Sequence, residues 1–520
     1  GVGSGIEPLT KDAITYTERS ITNLLFTGKH RFSTDENAMN FEWKLAPTFS
    51  KVMDKDHRIT PLQQADNGEF FVSPSATTFP IQLWRNLVEE NWAGKFDFDK
   101  KVDLFGRPAK LKFGGAYTYK FRDFSIDDYT FNIRGDDTFI ADGDVNQLLA
   151  TQNLWTPATD NGTFLVFGDI FNPIDAYEGE QQIAATYFSA EFNVSEGLKT
   201  VLGIRTEQFR SYYTGANNER TFDREKLIDE FDFFPSANLI YSINDKSNLR
   251  TSYSRTTARP SFKEASAARI FDPITNRLFI GNLNLVPTYV NNFDIRYEYF
   301  GDNGQFFAVS GFYKDFKDPI EQAFFQSAPN QLSFDNLGDA VVYGVEFEIR
   351  QRLGFILEDL DNLKFNANVS LIQSELTMSD AEFTLRQNTA RENASGEDIE
   401  TIERERDLQG QAPFLINVGL DYNDSESGFQ TGLFYNVQGA TLEVVGAETP
   451  DVYTEPFHSL NFTFSKAFGE KKRSTIEFKA TNILGDERLS EYQFFGSGNN
   501  QIFSLREPGR EFSLGYTFKF

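Results

Sequence analysis

The chain has 520 residues, with 50 Lys and Arg against 76 Asp and Glu, a formal charge of −26 and no cysteine. That acidity excludes nucleic acid as a partner, because polyanion binding needs a basic face. The lack of thiols excludes disulfide scaffolds, thiolate metal sites and cysteine nucleophiles.

The opening Gly1-Val2-Gly3-Ser4-Gly5-Ile6 has neither an initiator Met nor the basic and apolar regions of a signal peptide. Residues 1–13 are read as the remnant of an extracellular loop, and residues 14–520 as one architecture, since no linker rich in Pro, Gly or Ser divides them. From there the dominant signal is alternation with period two. Leu111, Phe113, Gly115, Tyr117, Tyr119 and Phe121 share one face, with Lys110, Lys112, Thr118, Lys120 and Arg122 on the other. Phe293, Ile295, Tyr297 and Tyr299 alternate with Asp294, Arg296 and Glu298; Tyr343, Val345, Phe347 and Ile349 with Gly344, Glu346, Glu348 and Arg350; Leu363, Phe365, Ala367 and Val369 with Lys364, Asn366 and Asn368. At the end, Phe512, Leu514, Tyr516, Phe518 and Phe520 oppose Ser513, Gly515, Thr517 and Lys519.

A soluble sandwich also alternates, but its strands have about five or six residues. Here the pattern runs for roughly nine to thirteen, the reach of a tilted strand across a bilayer. Strands are predicted near residues 24, 47, 96, 115, 189, 204, 239, 253, 295, 310, 346, 369, 418, 433, 462, 478 and 515, about seventeen in all. Tight connections such as Asn244-Asp245-Lys246-Ser247, Phe300-Gly301-Asp302-Asn303-Gly304 and Asn423-Asp424-Ser425-Glu426 contrast with long polar ones at 54–88, 123–180, 259–287, 376–410 and 485–509. Short turns on one side and long loops on the other describe an all-β chain: a transmembrane antiparallel β-barrel with periplasmic turns and extracellular loops, embedded in outer-membrane lipid. Bacterial barrels have even strand counts, so an odd count places the start of the chain partway round the wall. Aromatics near strand ends, including Tyr117, Tyr119, Tyr297, Tyr299, Tyr435 and Phe520, read as interfacial girdles.

The last strand resembles the signal read by the outer-membrane barrel assembly machinery, carried here by Ser513, Gly515, Phe518 and Phe520. Ser254 to Phe262, with its Arg259-Pro260, followed by Gly281-Asn282-Leu283-Asn284-Leu285-Val286-Pro287, resembles the barrel of TonB-dependent outer-membrane receptors, and so do Asn292–Tyr299 and Gly311–Glu321. Phe26 to His30 and Asn40 to Trp43 are similar to early strands of the large Bacteroidota-type members. The resemblance implies a barrel of about twenty-two strands closed by a plug. It implies import of a scarce, bulky solute such as a siderophore, vitamin, glycan or peptide, powered through TonB. Residues 1–520 carry neither a plug-like segment nor a TonB box, so the plug and about five first strands are expected from a missing N-terminal segment, which would also contact TonB. A receptor-like barrel serving as a structural subunit of a larger outer-membrane complex, and a passive channel, are the rival readings. A surface lipoprotein is left open as a further partner.

No enzyme activity and no cofactor is expected, since His30, His57 and His458 stand far apart in sequence and no Gly-x-Ser-x-Gly surrounds a serine. Asp136-Asp137 and Asp142-Gly143-Asp144 could gather oxygen ligands for Ca²⁺ but lack the twelve-residue loop spacing, so a solvated acidic loop is the plainer reading and no metal site is assigned. Polar residues on the inward face, Asp294, Arg296, Glu298, Glu346, Glu348, Arg350, Lys364 and Asn366, are candidates to face the plug, although any wide barrel has a polar interior. Loop aromatics Phe139, Phe164, Phe167, Phe171, Phe324, Phe325, Phe494 and Phe495 would form either a binding surface or loop-on-loop packing.

Overall fold

The computed structural model describes residues 9–520 except 36, 65–67, 69, 73–78, 105, 135–138, 141–144, 167–172, 273, 274, 276, 326, 327, 395–400, 470 and 497–499. Its principal sheet has 23 strand segments. Three of these, Leu9–Ile14, Thr17–Asn23 and Phe26–Arg31, lie end to end along a single neighbour, Asn40–Gln64, and make one interrupted rank. Four short pieces, Phe70–Phe71, Phe139–Ile140, Gly162–Leu165 and Glu405–Arg406, sit at the rim. Seventeen ranks remain, and they fall where the alternation places them. Each is antiparallel to the next in chain order, from the interrupted first rank to Glu511–Phe518.

The ordering of polarity through this sheet is the reverse of a soluble protein's. Along Thr288–Phe300 the outward Phe293 and Ile295 are 48% and 54% exposed, while the inward Glu298 is 8% exposed. Cross-strand register carries the same faces from rank to rank: Ile295 stands beside Thr251 and Gly311, Gly311 beside Val345, and Val345 beside Leu371. The outward row is therefore apolar and open, and the inward row polar and half-covered by its neighbours. Only an apolar surrounding satisfies the outward row, and a wide barrel with a wet interior satisfies the inward one.

The ranks differ greatly in height. Asn40–Gln64, Ile81–Leu104 and Arg107–Arg134 have 25, 24 and 28 residues, whereas Ser247–Ala258, Phe306–Lys317 and Ser474–Thr481 have 12, 12 and 8. A crossing needs about ten residues, so the tall ranks continue well above the membrane. This corrects the loop expected over 54–88: strand persists to Gln64 and resumes at Ile81. The polar residues there, such as Arg58, Gln63 and Gln82, decorate a water-exposed extension of the sheet rather than a loop. The expected loop remnant 1–13 is likewise strand over its described part, since Leu9–Ile14 pairs with Arg58–Gln63 in that extension. Residues 1–8 are outside the described chain.

Over the low half of the wall the long connections fold into their own layer. One small sheet joins Arg269–Asp272, Arg277–Ile280, Ala328–Asn336 and Ile320–Phe325; another joins Thr441–Val444, Asp451–Thr454, Arg488–Gln493 and Asn500–Arg506. A parallel bridge between Ala323 and Val445 ties them together. The connections 318–337 and 439–456 escape notice as loops because their own short strands alternate too. Helix α1, Asp380–Asn393, lies beside the second sheet and starts on Ser379, whose hydroxyl accepts from the Glu382 amide at 3.2 Å.

A charge on the outward face should be far more costly than one on the inward face. Ile295→Lys or Val345→Lys is expected to destabilise the wall by about 2–4 kcal/mol, and Asn368→Lys by less than about 1 kcal/mol. Urea titration of the protein in phospholipid vesicles, followed by heat-modifiable mobility, reads the difference.

Candidate functional site

The eight inward residues singled out from the sequence lie on one face of three ranks, Thr288–Phe300, Gly338–Arg352 and Leu363–Met378, and six of them fall into two connected groups. Arg296 is the hub of the first. Its guanidinium meets Glu298 at 2.9 Å and Glu348 at 2.9 Å, and donates to the Ser310 hydroxyl at 2.8 Å. Arg250 reaches Glu298 from the next strand at 2.7 Å, and Arg350 stands 3.9 Å from Glu348. Glu346 accepts from Ser370 at 3.3 Å, and Asp294 from Ser252 at 3.1 Å. In the second group Asn366 donates to Asp421 at 2.6 Å, with Lys364 at 4.0 Å from the same carboxylate. The sequence reading missed Arg250 and Asp421. Both are ordinary polar positions along their own strands, and only the cross-strand register, Arg250 opposite Arg296 and Asp421 opposite Lys364, brings them in.

The Arg-Pro segment that carries the resemblance has a structural duty. Arg259 reaches Glu207 at 2.5 Å and lies 4.6 Å over the Phe209 ring, while Pro260 accepts from Gln181 at 3.1 Å. Phe262 fits against Gly179, where a Cβ would stand 2.3 Å from the ring. Connection 259–287 is thereby pinned to the wall at its start. Near its end Asn282 takes a bond from its own loop and gives one to Phe334, closing it onto the neighbouring connection.

The extracellular layer is held by a buried chain of charges. Arg406 makes a two-pronged contact with Glu321, at 2.7 and 3.0 Å, and a third bond to Glu382 at 2.7 Å. Glu382 also meets Arg386 at 3.0 Å, and Arg386 forks onto Asp451 at 2.7 and 2.9 Å. All five side chains are buried, Glu321 to 1% exposure. Burial works against the Arg406 charge, but the Glu321 and Glu382 carboxylates more than offset it, so the guanidinium sits above its ordinary range. The chain links Ile320–Phe325, Glu405–Arg406, α1 and Asp451–Thr454, four segments far apart in sequence. Beside it burial pushes the Asp407 carboxyl up, and the Asp451 charge adds to the effect.

Loop aromatics pack against loops. The Phe324 ring lies 6.2 Å from Tyr492 and 6.3 Å from Phe503, and Phe495 is buried beneath Arg386 at 4.8 Å. Phe164 sits in the rim strand Gly162–Leu165, and Phe325 is 37% exposed. Phe139 belongs to a rim strand whose side chains are outside the described set, as are Phe167, Phe171, Asp136-Asp137 and Asp142-Gly143-Asp144. The histidines remain apart: His30 accepts from Trp43 at 3.2 Å, His458 meets the Tyr435 hydroxyl at 2.7 Å, and His57 is buried in a tall rank.

A meander with an apolar exterior, a polar ion-paired interior and a folded loop layer narrows the family, and the comparison decides it. The model of the TonB-dependent receptor-like β-barrel matches residues 12–483. The chain belongs to the TonB-dependent receptor β-barrel family. Members are integral proteins of the bacterial outer membrane that act as transport receptors rather than enzymes. Similar solved structures include the ferric citrate transporter FecA in its unliganded form, 11% identical, covering 99% of this chain and 76% of that one at a TM-score of 0.55. The pyoverdine receptor FpvA from Pseudomonas aeruginosa PAO1, bound to pyoverdine, is 12% identical over 98% of this chain and 74% of its own, at 0.54. The ferric yersiniabactin uptake receptor FyuA from Yersinia pestis is 12% identical over 97% and 71%, at 0.52. At such identities the likeness establishes the fold. No curated protein sequence matches the chain.

Two experiments test the receptor's rim. Arg406→Met strands the Glu321 and Glu382 carboxylates and should cost the layer about 3–5 kcal/mol, whereas the double change with Glu321→Met removes both partners of the tightest pair and should recover part of it. Limited trypsinolysis of loops 376–410 and 439–456, with the wall strands as internal control, measures both. Because the folded Asp407 carboxyl sits above its unfolded value, its ionisation opposes folding; rim stability is greatest with it protonated and falls as pH rises through the raised value. Asp407→Asn should flatten that fall in a protease-protection series begun at about pH 4, the ordinary carboxylate range.

Proposed function

We propose that this chain is the barrel of an active importer that carries a scarce, bulky solute across the outer membrane when TonB displaces a plug from the lumen. The observation that carries the reading is the inward wall. Its charges are satisfied by one another, as around Arg296, yet remain partly open to water. Such contacts exchange readily for water or for another polar surface, which suits a plug that must be held and then moved. Asp294, Arg296, Glu298, Glu346, Glu348, Arg350, Lys364 and Asn366 are proposed to face it. The named cargoes of the similar structures, ferric citrate, pyoverdine and ferric yersiniabactin, make iron chelates the first solute class to screen, ahead of vitamins, glycans and peptides.

The plug, the remaining strands and the TonB contact are proposed to lie on a segment N-terminal to this one. Support comes from the two edge ranks. Among the described residues, Thr17–Asn23 pairs only with Asn40–Gln64, and Glu511–Phe518 only with Ser474–Thr481. Strand edges with free amides are not tolerated in hydrocarbon, which favours further strands joining them. The same exposed last strand is proposed to present Ser513, Gly515, Phe518 and Phe520 to the assembly machinery. Deleting Phe520 should lower the heat-modifiable, membrane-inserted form severalfold at unchanged synthesis.

Uptake tests the whole reading. Under iron limitation, deletion of the gene should abolish accumulation of one radiolabelled ferric siderophore from a panel, and disruption of TonB should do the same. Accumulation of every label unchanged by the deletion, with other outer-membrane proteins lost from the complex it purifies with, would instead establish the structural-subunit role.

A further inference from the structure

Connection 353–362 opens on the same side of the wall as the turns at 301–305 and 425–428, because each rank runs antiparallel to the one before it. Two to five residues suffice to join neighbouring antiparallel strands, and the turns at 245–246, 301–305 and 425–428 keep to that range without an apolar residue. This connection takes ten residues and folds them into two 3₁₀ turns, Leu353–Phe355 and Glu358–Leu360. Its base is closed. Arg352 meets Asp361 at 3.7 Å, the Ile356 amide donates to the Leu353 carbonyl at 2.9 Å, and the Asn423 amide of the next rank donates to the Asn362 carbonyl at 3.0 Å. Beyond that base the tip shows Phe355, Ile356 and Leu357 in succession, 70%, 57% and 62% exposed.

A run of large apolar side chains at this exposure marks a surface that another phase or molecule covers. The bilayer is the cover within reach. Tyr299, Phe307 and Ile349 stand side by side on the outward face and form its last apolar row toward this side, since Gly301, Gln305 and Gln351 come next on the three ranks. Arg352 lies three residues past Ile349, about 10 Å of strand and less along the membrane normal because the strands tilt. That is the level of the headgroups, a layer about 5–7 Å thick beyond the hydrocarbon edge. The tip therefore begins where the headgroups are, and its surplus length gives it the reach to lie back among them.

The charges of the connection select the kind of headgroup. Glu358, Asp359 and Asp361 follow the tip, and residues 353–362 hold no Lys or Arg. Anionic lipid attracts cations and repels such carboxylates, whereas a zwitterionic surface takes up the apolar side chains without that opposition. We infer that connection 353–362 is a foot seated in the periplasmic leaflet, with Phe355, Ile356 and Leu357 inserted among zwitterionic headgroups and Glu358 and Asp359 left in water. The foot holds at a fixed depth the pair of ranks that carries Glu346, Glu348 and Arg350. It stands or falls independently of the import reading, because it needs only the wall and its bilayer.

Spin-label accessibility tests it in the full-length gene product reconstituted in lipid nanodiscs, with any cysteine outside residues 1–520 removed, since those residues contain none. A nitroxide on Ile356→Cys is compared with one on Ser425→Cys in the neighbouring polar turn, using oxygen, which concentrates in lipid, and a neutral nickel chelate, which stays in water. In discs of phosphatidylethanolamine and phosphatidylcholine the ratio of oxygen to nickel collisions should be at least about threefold higher at 356 than at 425. Replacing half of the lipid by phosphatidylglycerol should lower the ratio at 356 by about half, and Glu358→Gln with Asp359→Asn should restore it. Phe355→Ser with Leu357→Ser should bring the 356 label down to the value at 425. Heat-modifiable mobility confirms that each variant has a folded wall. Nickel collisions as frequent at 356 as at 425 overturn the foot, because the tip then stands in water. Protection of 356 from both reagents overturns it as well, because protein then covers the tip. A ratio indifferent to phosphatidylglycerol overturns the headgroup preference.

Discussion

Hydrocarbon offers no partner to a backbone amide, and the rest of this molecule follows from that constraint. A wall one strand thick must pair each N–H and C=O sideways, so neighbours run antiparallel and in chain order, and every side chain points either to lipid or to the lumen. The two faces then obey opposite rules. Outward residues gain by being apolar, as Ile295 and Val345 are. Inward residues are confined beside one another in a concave space, where Glu298 can be both nearly buried and charged because Arg250 and Arg296 reach it.

That same constraint explains which features the sequence alone reveals. Period-two alternation is a direct imprint of the two-faced wall, so the ranks containing residues 295, 346 and 515 were legible, as was the inward placement of Arg296 and Glu348. Pairing was not. Nothing along Ser247–Ala258 marks Arg250 as the partner of Glu298, and nothing along Phe414–Asp424 marks Asp421 as the partner of Asn366. Those facts belong to register, which a single strand does not encode. Height is hidden for a related reason: above the lipid both faces of a strand can be polar, the alternation fades, and Arg58 or Gln82 on a strand looks like a loop residue.

Outside the bilayer the rules change to those of soluble domains, and the loop layer is built accordingly. Apolar rings such as Phe324 and Phe503 pack on each other, and the chain Glu321, Arg406, Glu382, Arg386 and Asp451 joins segments that the sequence keeps up to 130 residues apart. Its carboxylates outnumber its guanidiniums, and backbone amides of Gln409 and Gly446 supply the remaining donors to Glu321 and Asp451. A network this buried contributes definition rather than net stability. It fixes where α1 and the second small sheet sit, and so fixes the shape of the extracellular mouth over the low half of the wall.

The inequality of strand height gives the mouth a direction. With ranks of 24 to 28 residues on one side and 8 to 16 on the other, the upper rim is a slope and not a level ring. The tall ranks form a parapet, and over the low side stands the loop layer that the buried charges hold in place. Whatever approaches this mouth from outside therefore meets strand on one side and the folded loop layer on the other.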